Sequence, residues 1–185
     1  MATYDAELLD AARQLLDRRT GQRGKLPSAR IRRSISTSYY ALFHFLLEEV
    51  GMKVVGTGNA LRKRRRVLAR TISHKGMKIT LDKMRGPRAE SLEDFLRPVG
   101  SATGPVTLPL FVQDLAKAFA DAQAKRHDAD YDLNKVLSER DARLLIVRVQ
   151  RVIAAWRAAT GADDRNFKDA VCILFVLKGQ LRPEP

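Results

Sequence analysis

The chain of 185 residues contains a single cysteine, Cys172, and no C-x-x-C or C-x-x-H spacing. One cysteine cannot close an internal disulfide, which excludes disulfide scaffolds and cysteine-based zinc ribbons. The longest wholly apolar run, 170–177, has eight residues, whereas a helix that spans a bilayer needs roughly 20. The N-terminus carries acids and no basic-then-apolar pattern. We therefore expect a cytoplasmic protein with no secretory signal and no membrane partner.

Motifs for nucleotide or metal chemistry are also missing. Neither G-x-x-x-x-G-K-[ST] nor G-x-G-x-x-G occurs, and the short G-x-G at 56–58 does not follow a predicted strand. The three histidines, His44, His74 and His127, lie on separate segments without an H-x-x-x-H pair. The sequence therefore predicts no cofactor and no bound metal.

Apolar residues recur at three- and four-residue steps along most of the chain, which is the spacing of one helix face, and regular strand alternation is missing. The predicted fold class is all-α, a helical bundle of about five to seven helices. Ser138 followed by Asp141 is a capping-box variant at the start of one of them. The predicted helices are 4–18, 29–50 with Ser28 as its cap and Gly51 as its end, 60–73, one or two short helices within 77–97, then 110–131, 139–160 and 164–178.

The last predicted helix differs from the others in being apolar on nearly all sides. We expect one helical domain over 1–160, with the apolar helix and tail over 161–185 in the same domain or at an interface. The run 170–177 is either fully buried or an interface. Because a terminal helix is harder to bury on all sides, we expect an interface, and hence self-association or a partner. Cys172 within it is expected to be a small buried hydrophobe.

The positive charge is concentrated in two places. Segment 18–33 holds seven basic residues and no acid, and segment 61–78 holds eight and no acid. Together they carry more positive charge than the net +13 of the whole chain, so the remainder is slightly acidic. Such a distribution is typical of a polyanion site, although a solvated basic face that only aids solubility is the alternative. The candidate nucleic-acid-binding residues are Arg32, Arg33, Arg62, Lys63, Arg64, Arg65, Arg66, Arg70, His74 and Lys75.

Two further patterns stand out. Segment 38–45 (SYYALFHF) is dense in aromatic residues at helical spacing, which is typical of a packed core helix. In segment 125–132, Arg126 and Asp130 lie four residues apart, as do His127 and Tyr131. On a continuing helix the first pair holds the guanidinium in place, either for function or as a surface salt bridge.

These patterns, in this order, resemble HEPN-domain proteins, which are small all-helical proteins of prokaryotic genomes. The run S-Y-Y-A-x-F-H at 38–44 resembles the signature of that family. The sequences S-H-K-G at 73–76 and R-x-x-A-D-Y at 126–131 resemble the branch found beside minimal nucleotidyltransferases. The matching residues span about 34–132.

The resemblance implies a helical bundle, usually a dimer with its functional groove at the dimer interface. It also implies metal-independent ribonuclease activity in toxin–antitoxin or anti-phage systems. The family's motif, Arg followed after four to six residues by His, is missing at all three histidines; the nearest approach, Arg70 before His74, is one residue too short. The candidate catalytic residues are Arg126, His127, Asp130 and Tyr131, with Arg70 and His74 as the alternative arginine and histidine.

Three functional alternatives remain open. The first is an RNA-binding protein that also cleaves RNA without a metal. The second is a non-catalytic subunit that binds a nucleotide, a nucleic acid or a partner such as a nucleotidyltransferase. The third is a small DNA-binding regulator, although a helix-turn-helix spacing is missing. We expect RNA or another nucleic acid as the ligand, and a homodimer or a heteromeric complex with a genomic neighbour.

Overall fold

The computed structural model describes residues 3–18, 24–89, 92–98 and 104–177. Within these ranges it contains eight α-helices, one turn of 3₁₀ helix at Asn59–Leu61 and no strand, which confirms the all-α class. The helices are α1 (Tyr4–Gln14), α2 (Ser28–Val54), α3 (Arg62–Thr71), α4 (His74–Asp82), α5 (Glu93–Leu96), α6 (Leu110–Tyr131), α7 (Glu139–Ala158) and α8 (Ala162–Val176).

The second helix is longer than predicted, because α2 continues through Gly51 to Val54. A Cβ at Gly51 would lie 3.2 Å from Cδ of Arg65, so this glycine permits a close side-chain approach and does not end the helix. Two residues after the last residue of α2, Gly56 turns the chain away from the helix with a φ of 106°, a left-handed conformation that glycine adopts without strain. The prediction that Gly51 ends the helix was wrong by one turn.

The helix predicted over 60–73 also differs from the structure. Ile72 is extended, and Ser73 then begins α4 by accepting a hydrogen bond from the backbone N–H of Gly76 at 3.0 Å. This N-cap satisfies one of the free amides that every helix start leaves. The helix predicted from 60 to 73 is therefore a 3₁₀ turn followed by the shorter α3.

The capping box that the sequence predicts at the start of α7 is present. The N–H of Asp141 donates to Oγ of Ser138, and the N–H of Ser138 donates to Oδ2 of Asp141, both at 3.1 Å. These hydrogen bonds lower the pKa of Asp141, because they favour its ionised form.

The chain divides into two compact units, and the first consists of residues 1–45 and 118–154. Its core contains Tyr39, the most buried of the aromatic residues from segment 38–45, with the ring of Phe119 at 5.6 Å in an edge-to-face arrangement. Leu16, Ile35 and Val149 are fully buried as well. The aromatic segment is thus part of a packed helix, as the sequence predicts.

The second unit consists of residues 46–117 and 155–185. Here α8 packs against α4 and α5. Trp156 is fully buried, and its indole N–H donates to Oε2 of Glu49 at 2.7 Å. Within the apolar run 170–177, four residues are buried and Ile173 and Leu177 are about 40% exposed. Packing inside this unit therefore buries half of the run 170–177, for which the sequence predicts an interface.

Cys172 is fully buried in the same unit, and burial raises the pKa of its thiol. The prediction of a small buried hydrophobe is confirmed.

Candidate nucleic-acid interface and Arg126 cluster

The most exposed helix of the second unit is α3, none of whose ten residues is buried. Five of its basic side chains are exposed, and none of these five makes an ion pair or a side-chain hydrogen bond with the described residues. We call these five residues the α3 cationic surface: Arg62, Lys63, Arg64, Arg66 and Arg70.

Three members of this surface form a line. Arg62, Arg66 and Arg70 follow one another at four-residue steps, which places them roughly 6 Å apart along one side of the helix. Lys63 lies beside this line, and no acidic residue occurs between residues 61 and 78. The arrangement leaves an uncompensated row of cations in contact with solvent.

Arg65 is the exception within the basic run. Its Nη1 donates to the carbonyl of Gly56 at 2.6 Å and to that of Gly58 at 3.0 Å, and its aliphatic part lies against Gly51. Arg65 therefore holds α3 to the turn that follows α2. Its carbonyl bonds would have to break before it could bind a phosphate.

Arginines of the first basic segment also have internal partners. The guanidinium of Arg32 donates to five carbonyl oxygens beyond and within the last turn of α6, at 2.7 to 3.3 Å. Arg30 donates to the carbonyls of Gln14, Leu15 and Asp17 at the end of α1. Both arginines serve as caps, because a helix C-terminus leaves free carbonyls and a partial negative charge. Arg33 is exposed.

The two remaining candidates for nucleic-acid binding lie in the first turn of α4. Lys75 is exposed, whereas His74 is half-buried. Lys75 is therefore available to an anion.

The predicted pair of Arg126 and Asp130 is present, with Nε of Arg126 at 2.5 Å from Oδ2 of Asp130. Two residues of α2 join it: Nη2 of Arg126 donates to the hydroxyl of Tyr40 at 3.0 Å, and the hydroxyl of Ser36 donates to Oδ1 of Asp130. We call these four residues the Arg126 cluster. It ties α2 to α6 within the first unit.

Ser36 and Tyr40 were missed as members of this cluster. They lie four residues apart on α2, as Arg126 and Asp130 do on α6, so each pair shares a helix side. That spacing is the only signal in the sequence, and it does not say which two helix sides meet.

His127 and Tyr131 extend the cluster toward solvent. Their rings lie 5.2 Å apart, and the guanidinium carbon of Arg126 is 5.3 Å from the centre of the Tyr131 ring. His127 is exposed, and Tyr131 is 64% exposed. Arg126 and His127 therefore both contact the ring of Tyr131, although adjacent residues of a helix point about 100° apart.

Protonation states in this region follow from burial and from the neighbouring charges. Burial lowers the pKa of Arg126, but the negative charge that Tyr40 and Asp130 can carry raises it more, so this guanidinium stays charged. The pKa of Tyr39 is raised by burial, and that of His44 is lowered by burial. The ring of His44 packs edge-on against Tyr4 at 5.1 Å. His44 is a neutral packing residue near neutral pH.

Among the described residues, no group of three or more His, Cys, Asp or Glu side chains is arranged to hold a metal ion. None of the described helices is long and apolar enough to cross a membrane.

Comparison of the chain with protein-family models, with curated proteins and with solved structures gave no match.

Proposed function

We propose that this protein binds RNA through the α3 cationic surface. The observation that carries the proposal is a helix with no buried residue and five exposed cations, none of which has an ion partner among the described residues. Clustered unpaired cations repel one another, and a polyanion that neutralises them relieves that repulsion. The resemblance to HEPN-domain proteins supports RNA as the polyanion.

The chemistry of α3 favours contacts with phosphates over contacts with bases. The helix contains no aromatic residue on which a base could stack. Arginine and lysine side chains on a convex helix reach phosphate oxygens without reading sequence. Binding is therefore expected to depend strongly on salt and weakly on the order of the bases.

The test compares two variants that each lose four exposed cations from the second unit. In the first, Arg62, Arg64, Arg66 and Arg70 are replaced by Ala, and Arg65 is kept because it supports the fold. In the matched control, Lys83, Arg88, Lys117 and Arg157 are replaced by Ala; all four are exposed and outside α3. Affinity for a labelled single-stranded RNA of mixed sequence is measured over a salt series.

We expect the α3 variant to bind at least tenfold more weakly and the control to stay within about twofold. The slope of log affinity against log salt should fall by up to about 3 in the α3 variant, at roughly 0.7 per lost phosphate contact. Equal losses in both variants would show general attraction to a basic protein and would contradict the proposal. Equal affinity for the matching DNA would favour the DNA-regulator alternative.

A second candidate function, cleavage of RNA without a metal, is favoured by the shared contact of Arg126 and His127 with Tyr131. In such a reaction His127 would accept the proton of the RNA 2′-hydroxyl, and the 2′-oxygen would form a bond to the adjacent phosphorus. The bond from phosphorus to the 5′-oxygen would break, and the departing 5′-oxygen would take a proton from water. Arg126 would stabilise the negative charge on the phosphorane oxygens. Asp130 and Tyr40 would hold the guanidinium in position.

Cleavage is tested separately from binding. RNA is incubated in excess EDTA with the wild-type protein, with His127→Ala and with Arg126→Lys. Cleavage by the wild type that both variants lose would support the site. Cleavage that requires added metal, or that survives both substitutions, would reject it. Retained binding without any cleavage would favour a non-catalytic subunit of a toxin–antitoxin or defence module.

A further inference from the structure

The outer side of α7 carries apolar side chains that the fold leaves uncovered. Leu144 is 55% exposed and Val147 is 52% exposed. They lie opposite the side that packs into the protein, where Leu145, Val149 and Val152 are buried. These two neighbouring residues form a small apolar patch on the solvent side of the helix.

An arginine lies at each end of this apolar pair. Arg140 precedes Leu144 by four residues, and Arg151 follows Val147 by four, so all four side chains form one stripe. Both arginines are exposed, and neither makes an ion pair or a side-chain hydrogen bond with the described residues. We call Arg140, Leu144, Val147 and Arg151 the α7 stripe.

The acids next to the α7 stripe, Glu139 and Asp141, have partners within the fold, and Asp141 also attracts Arg140 electrostatically. The two acids of α7 lie in its first turn and are already engaged. Glu139 pairs with Arg18 and Arg143, and Asp141 is bonded to Ser138. Residues 142–158 contain no acid at all.

Two surface depressions meet at the start of the stripe. One, of about 380 Å³, is lined by Leu144 and Val147, and the other, of about 600 Å³, is lined by Leu133 and Val136. Both include Glu139 and Arg140, so the two depressions adjoin at these charged residues. Leu133 and Val136 are 83% and 91% exposed.

We infer that the α7 stripe docks an acidic amphipathic helix of a partner protein. The partner helix would present two apolar residues three positions apart, with an acidic residue one turn before and one turn after them. Its apolar pair would cover Leu144 and Val147, and its acids would pair with Arg140 and Arg151. The stripe is about 17 Å long, which corresponds to three turns of such a helix.

Charge decides between this occupant and two others. A second copy of the same stripe, turned antiparallel, would place Arg140 against Arg151 at both ends, where like charges repel. A nucleic acid would satisfy the arginines but would leave the central leucine and valine without an apolar contact. Only an acidic amphipathic partner complements both the ends and the centre.

The probe is a labelled, helix-forming peptide of alanine and glutamine that carries Glu, Leu, Leu and Glu at the 4, 3, 4 spacing of the stripe. A second peptide has Lys in place of both Glu residues. Binding of each peptide to the full chain is measured by fluorescence anisotropy. The proteins compared are the wild type, R140E/R151E, L144S/V147S and the control R88E/R157E.

We expect the wild type to prefer the acidic peptide at least tenfold and R140E/R151E to prefer the lysine peptide. L144S/V147S should lose most binding of both, and R88E/R157E should retain the wild-type preference within about twofold. The variant that lacks the α3 cations should also bind the acidic peptide normally, which separates this inference from the proposed RNA binding.

Three results would overturn the inference. The first is that the wild type binds neither peptide, and the second is that L144S/V147S binds as well as the wild type. The third is that R88E/R157E changes the preference as much as R140E/R151E does. A wild-type dimer that L144S/V147S converts to a monomer would assign the stripe to a second copy instead.

Discussion

The two basic segments look alike in sequence but are used in different ways. In the first, Arg30 and Arg32 turn inward and donate to the carbonyls at the ends of α1 and α6. In the second, four arginines and a lysine of α3 face solvent, and none of them has a partner within the described part of the chain. Charge density alone therefore does not distinguish arginines that cap helices from arginines that are exposed and available to an anion. What distinguishes them is whether a helix C-terminus lies within reach.

Replacing the capping Arg32 and the exposed Arg33 in separate variants tests whether the two arginines differ in their contribution to stability. Arg32→Ala removes a donor from five carbonyl oxygens, of which those of Asp128 and Asp132 keep a backbone donor, and we expect it to lower the free energy of unfolding by about 3 kcal/mol. Arg33→Ala, at an exposed position, should change it by less than about 0.5 kcal/mol. Urea unfolding followed by circular dichroism measures both. Equal effects would show that Arg32 is not a structural cap.

In the Arg126 cluster, a variant of Asp130 tests how much the carboxylate that holds the Arg126 guanidinium contributes to stability. Asp130→Ala removes the partner of both Arg126 and the Ser36 hydroxyl, and we expect a loss of about 2 kcal/mol in the free energy of unfolding. Asp128→Ala provides the control, because its contact with Lys135 is longer, at 3.6 Å, and it should cost about 0.5 kcal/mol or less. A loss in Asp128→Ala as large as that in Asp130→Ala would contradict this assignment.

Arg65 and Arg66 are adjacent in α3, and we expect the first to stabilise the fold and the second to bind RNA. Arg65→Ala breaks the bonds to Gly56 and Gly58, and we expect a loss of about 1 kcal/mol in the free energy of unfolding. Arg66→Ala should leave stability unchanged and weaken RNA binding. Thermal unfolding and RNA titration of both variants provide the check. The reverse pattern would mean that Arg66 faces the protein.

The smallest expected effect concerns repulsion along α3. Replacing Arg62, Arg64, Arg66 and Arg70 by Ala removes like charges at four-residue spacing, so stability at low salt should rise by about 0.5 kcal/mol. This gain should vanish at high salt, where the charges are screened. Melting temperatures at the two salt concentrations measure it. A drop in stability at both concentrations would show that these side chains support the fold.

Local patterns predicted the long helices well. The bounds of α6, 110–131, were predicted to the residue, because its apolar spacing is regular and prolines bracket the preceding loop. The capping box at Ser138 and the pair of Arg126 and Asp130 also follow from spacing within one helix. Such features depend only on residues within a turn of one another.

Features that depend on distant residues were not predicted. Gly51 reads as a helix end, but the side chain of Arg65 fills the space beside it. Leu144 and Leu145 are adjacent leucines in sequence, yet Leu145 is buried and Leu144 is 55% exposed. The assignment of Arg32 to helix capping requires the end of α6, which lies about a hundred residues along the chain. Tertiary contacts decide each of these cases.

The lack of buried residues in α3 has a consequence for its motion. An isolated ten-residue helix is only marginally stable in water, and α3 adds adjacent like charges while gaining little from packing. Its opening should therefore require less free energy than the opening of the core helices, and its amides should exchange with solvent hydrogen sooner. If α3 binds an anion as proposed, the bound anion would slow that exchange, and anion binding and the folding of this segment would form one coupled equilibrium.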